Sequence, residues 1–163
     1  TDGSAPELVL TDVAPVGYHA WLDDSTLGLF VLGQPPTLQI ADARTGRARI
    51  AAHNIGRSLH KVPGRAAVSF LHRDGGVPTI RTLDPARGTA TDLVAPLEGS
   101  QDYAWAPGGV LVMGSGSRLF AFDPLTDRTW REIADLSSAG IENITRLAIS
   151  PDGSRIAVVA AGS

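Results

Sequence analysis

The sequence predicts an all-β protein, a β-propeller of about three complete four-stranded blades plus a split, incomplete fourth. Three observations predict it. A turn marker recurs at Asp23, Pro63, Pro107 and Pro151, spaced 40, 44 and 44 residues apart. A second, out-of-phase marker opens at Asp42, Asp84 and Asp123, 42 and 39 apart, so two independent landmarks give one period. Finally, 18 glycines and 11 prolines are spread at intervals through 163 residues, which favours short strands and turns over long helices. Four short strands in 40 to 44 residues is the size of a propeller blade. A β-sandwich, the competing architecture, has no reason to repeat two markers in register.

Each unit opens with an innermost strand running into the first marker, at 18–21, 58–61, 102–105 and 146–149. An apolar second strand follows the turn, at 26–32, 66–71, 110–113 and 155–160. The third, at 37–41, 79–83 and 118–122, shows the alternation of a half-buried strand and ends at the second marker. There aspartate opens the turn by accepting from the backbone two residues on, and glycine supplies the positive φ that ends it. A more polar fourth strand closes the unit, at 48–52, 90–94 and 129–133. Complete blades are therefore expected over 18–52, 58–94 and 102–133, and a split blade from 145–161 with residues 7–13 as its last strand. Trp21 and Trp105 share the repeat position of Ile149 and should pack between blades, whereas Trp130 falls in an outer strand, open to solvent or a partner.

Composition narrows function more than it assigns it. A net charge of −3 and a pI near 5.7 argue against nucleic acid or an anionic membrane as partner. The longest apolar run, residues 27–32, is strand-sized, against the ~18 residues of a spanning helix. With no cysteine there is no disulfide, thiol nucleophile or thiolate metal site. The histidines, His19, His53, His60 and His72, form no i, i+4 pair, and no cofactor or metal is expected. Ser58, His60 and Asp102 are the residue types of a hydrolytic triad but lack the G-x-S-x-G elbow. Gly114-Ser115-Gly116-Ser117 joins two strands without a following lysine, so it reads as a turn and not a phosphate loop.

One polar constellation stands out. The position three before the Trp/Ile site, at the entrance of each innermost strand, holds Tyr18, Ser58, Asp102 and Arg146. In a propeller that position lies near the mouth of the central channel, and the loops feeding it carry Arg57, Glu98, Glu142 and Asn143. The tentative binding set is Tyr18, Arg57, Ser58, Asp102, Glu142, Asn143 and Arg146, with an Asp102–Arg146 ion pair as the plainer expectation for such a rim.

The run Ala148-Ile149-Ser150-Pro151-Asp152-Gly153-Ser154-Arg155-Ile156-Ala157-Val158 resembles the W-S-P-D-G-x-x-I-A-F signature of TolB-like propellers, relatives of WD-repeat proteins. Tyr103-Ala104-Trp105-Ala106-Pro107-Gly108-Gly109 is a close variant, and Trp21-Leu22-Asp23-Asp24 and Lys61-Val62-Pro63-Gly64 are weaker ones. The resemblance implies a periplasmic or secreted, non-enzymatic scaffold that binds a peptide or protein at the channel mouth. It also implies a chain forming the C-terminal part of a six-bladed type of propeller, or a homo-oligomer that completes a ring. Two alternatives remain: a propeller hydrolase or lyase with a divalent ion, which needs at least three converging carboxylates or histidines, and a propeller fragment that self-assembles without a ligand.

Overall fold

The structure, a computed structural model, describes residues 8–161. Three four-stranded antiparallel meanders follow one another: β1 (Val16–Trp21), β2 (Thr26–Val31), β3 (Thr37–Asp42) and β4 (Ala48–His53); β5 (Ile55–Lys61), β6 (Val68–His72), β7 (Thr79–Asp84) and β8 (Thr89–Val94); β9 (Tyr103–Trp105), β10 (Leu111–Ser115), β11 (Arg118–Phe122) and β12 (Arg131–Asp135). A fourth sheet holds only β13 (Glu142–Ile149) and β14 (Ile156–Ala161).

The repeated markers are the turns between these strands. Asp42 accepts the backbone N–H groups of Arg44 at 2.7 Å and Thr45 at 3.2 Å, and Gly46, at φ 70°, closes the turn. Asp84 repeats this with Ala86 and Arg87, and Asp23 does so at the first marker with Ser25 and Thr26. The short polar side chain satisfies backbone donors that the turn would leave open, which is why aspartate recurs at a fixed place.

Burial peaks at the second strand of each sheet and falls off toward the outer edge. β2, β6 and β10 are buried almost end to end, and their apolar runs are continuous rather than alternating because both faces of these strands are covered, for β6 and β10 by the neighbouring sheets and for β2 by the second sheet on one side and Leu10 and Val13 on the other. The outer strands β4 and β8 are largely exposed. Successive sheets stack face to face. Phe30, Leu38 and Ile40 of the first meet Ile55, Val68 and Phe70 of the second; Leu71 and Ile80 meet Tyr103, Leu111 and Met113 of the third; Ala104, Val112 and Leu119 meet Ile144 and Leu147 of the fourth. Where sheets approach closely a side chain has no room: a Cβ on Gly114 would lie 2.5 Å from Ile144 Cγ2.

Two expectations need correction. Residues 8–13 form no strand and do not join β13–β14, and Glu7 lies outside the described residues. Leu10 and Val13 instead pack on Leu27, Leu29, Val31 and Ala41, the face of the first sheet turned away from the second. That face is strongly apolar, and covering it removes hydrocarbon from water. Trp21 does not pack between blades. It pairs with Leu27 on that same outward face and is 47% exposed, because no preceding sheet stands against it.

Candidate functional site

The innermost strands β1, β5, β9 and β13 surround a funnel of about 1440 Å³. Six of the seven predicted residues line it: Tyr18, Arg57, Ser58, Asp102, Asn143 and Arg146. Glu142 does not. It is exposed at the start of β13, and the lining from that strand begins one residue later, at Asn143.

Within the set, two residues are ties between blades. The Ser58 hydroxyl, 2% exposed, donates to the Gln101 carbonyl at 2.7 Å, so it is engaged in holding the second blade to the third. Asp102 accepts the Leu147 N–H at 3.0 Å and holds the third blade to the fourth. The expected Asp102–Arg146 ion pair is absent from the ion pairs among the described residues. Polar residues recur at the strand entrances partly because each blade must hydrogen-bond to the next, a demand that spacing alone did not reveal. Tyr18 stacks edge-on against Phe30, with ring centroids 5.5 Å apart, and Arg57, Asn143 and Arg146 are exposed on the wall. Asn143 holds φ 55°, a left-handed conformation that asparagine accepts more readily than most residues.

The structure adds residues the sequence argument passed over. Arg73 reaches the funnel and donates to the Gln101 side-chain oxygen. The available signal was antiparallel pairing: Ile55 opposes His72, which places the end of each second strand beside an innermost strand's entrance. His60 lies deeper, its ring 4.9 Å from that of Tyr103, and its buried Nε2 finds no partner among the described residues. Burial holds the imidazole below its usual pKa, opposed by the Asp102 carboxylate. Burial pushes the Tyr103 hydroxyl above its usual value.

A second cavity of about 380 Å³ adjoins the funnel and shares Arg73, Glu98 and Gln101 with it. Its remaining walls are mostly apolar, with Leu71, Val77, Pro78 and Leu97. Among the described residues no three of His, Asp and Glu gather into a metal-binding group.

No family model matches the chain, and no curated protein does. Solved structures do. TolB from Acinetobacter baumannii superposes with a TM-score of 0.74 at 18% identity, over 100% of this chain and 42% of that one. A chain of a nidogen/laminin complex gives 0.69 at 12% identity, over 98% and 61%. An oligogalacturonate lyase in complex with manganese gives 0.61 at 18%, over 90% and 46%. The chain thus spans about two fifths to three fifths of the lengths of the chains it resembles. At such identities the likeness carries the fold and no activity. Repeated markers, stacked four-stranded meanders and these superpositions agree that the chain has the β-propeller fold, with TolB among its structural neighbours.

Proposed function

We propose that the chain is a non-enzymatic propeller module that binds a peptide or protein segment at the mouth of its central funnel. The observation that carries this is the joined pair of cavities. A funnel of about 1440 Å³ exceeds the roughly 300–1,000 Å³ usual for a small-molecule pocket, and its apolar annex offers a seat for one side chain of an extended segment. A metal-dependent lyase or hydrolase is the weaker reading. The funnel's titratable groups include His19, His60, Glu98 and Asp102, but no three of them converge, and Asp102 is tied to a backbone N–H. A periplasmic or secreted setting and association of copies into a larger ring belong to the same proposal, and the second is taken up below.

The test is to pan a random-peptide display library against the purified protein. Selected peptides are then measured on the variant Thr145→Trp, which places a bulky side chain on an exposed funnel-wall position without changing charge. Loss of binding with an unchanged melting curve supports the mouth as the site. Peptides that bind the variant as well as the parent would place the site elsewhere and sink the proposal.

A further inference from the structure

We infer that the funnel recognises carboxylates, so that its ligand is an acidic peptide segment. The inference rests on the reading of the mouth as a peptide site and adds the ligand's chemistry. Three arginines line the funnel, Arg57 on β5, Arg73 directly after β6 and Arg146 on β13. None forms an ion pair among the described residues, although the chain has other ion pairs at Arg81, Arg87 and Arg118. The same lining holds two carboxylates, Asp102, which accepts the Leu147 N–H, and Glu98, which borders the annex as Arg73 does, so the three cations outnumber the anions by one.

On a chain of net charge −3, a concavity lined by three arginines against two carboxylates is a local reversal of sign. A concave wall focuses such a field and draws in negative groups. Guanidinium, with its planar fork of donors, matches carboxylate in two-point geometry better than any other side chain. The annex supplies the complement: an apolar side chain seated between Leu71, Val77 and Leu97 would sit beside Arg73, which borders both cavities. The ligand is therefore an extended segment with acidic groups in the funnel and a neighbouring apolar residue.

Carboxylate can come from acidic side chains or from a chain terminus, and three peptides separate the sources. The first is acetyl-(Glu-Gly)3 amide, the second its Gln isostere with both ends blocked, and the third that isostere with a free C-terminal carboxylate. Calorimetric titration at low salt is expected to show the Glu peptide binding at least about tenfold tighter than the blocked isostere, the scale of lost charge-assisted hydrogen bonds. Tightening by the free terminus alone would assign the source to a C-terminus. The double variant Arg57→Gln with Arg146→Gln should lose this preference while its melting curve stays put, because both side chains are exposed and unpaired. A control, Arg128→Gln with Arg131→Gln, away from the funnel, should retain it. Failure of both carboxylate-bearing peptides to bind overturns the inference, as does binding that survives in the Arg57/Arg146 variant. Neutral peptides selected from the library and blocked by Thr145→Trp would overturn the carboxylate preference while leaving the mouth as the site.

Discussion

Ser69 shows how much one hydroxyl can organise between two sheets. Fully buried on β6, it accepts from the Tyr103 hydroxyl at 3.0 Å and from the Trp105 indole N–H at 2.8 Å, both on the next blade. Ser69→Ala leaves two donors without that acceptor and should cost about 1–3 kcal/mol in denaturant unfolding. Trp105→Ala, which also empties the space beside Leu111 and Met113, should cost about 3–5 kcal/mol. A near-neutral Trp105→Ala would mean that the indole does not bridge the blades. His60, nearby, sets a pH dependence. Its folded-state pKa lies below the ordinary 6.5, so the unfolded chain takes up the proton first as pH falls. Stability from the neutral buried ring is complete above about 6.5 and declines as the pH falls below it. Melting temperature should therefore drop from about pH 7 to about pH 5, and His60→Gln should flatten that drop. An equal slope in both proteins would show that His60 is not the group. Asp135 and Asp152, held down at about 2 by hydrogen bonds from Ser137 and from Ser150 respectively, act in a separate window, between 3.8 and about 2.

At the level of the element, blade-to-blade spacing is set by small residues where the sheets come closest. Gly114 on β10 faces Ile144 on β13 so tightly that an added methyl must displace it. Gly114→Ala should destabilise by about 1–3 kcal/mol through overpacking. In the double variant with Ile144→Ala the two costs should fall short of additive, since the methyl then fills space the isoleucine has left. Strict additivity would show that the third and fourth sheets do not touch there. The same logic explains Gly28, whose Cβ would lie 3.1 Å from Val68 of the second sheet. Ser58 and Asp102 complete the pattern by tying the second blade to the third and the third to the fourth through hydrogen bonds.

For the whole molecule, the two ends of the stack differ in how they are finished. The first sheet's outward face is partly covered by Leu10 and Val13, yet Trp21 and Ile50 remain 47% and 51% exposed. The far face of the fourth sheet presents Ala148, Ala157 and Val159, the last 57% exposed. These correspond in register to Ala104, Val112 and Gly114 of the third sheet, on which the fourth packs. A face built like one that receives a blade should receive another, and we propose that a second copy supplies it, its Trp21 side against this face. Light scattering should then give twice 17.0 kDa, and Val159→Lys should return the mass to one chain. A single-chain mass at tens of micromolar would remove self-association.

The sequence by itself determined the repeat, the all-β class and the places of the turns, because turn chemistry is local. Asp42 and Asp84 need only their own next three residues to form the hydrogen bonds that make them visible as a pattern. It also located the ring of strand entrances, since a fixed register carries equivalent positions to equivalent places, and six of seven named residues line the funnel. What tertiary structure alone decided are the pairings across blades. Ser58 and Asp102 are spent on neighbouring backbone, Arg73 enters through an antiparallel partner, and Trp21 is bared while Trp105 is packed at the same repeat position. Each depends on which surface stands opposite, and residues 8–13 show the limit most plainly. Their extended apolar pattern suits a strand or a cover equally, and only the uncovered face of Leu27, Leu29 and Val31 selects the cover.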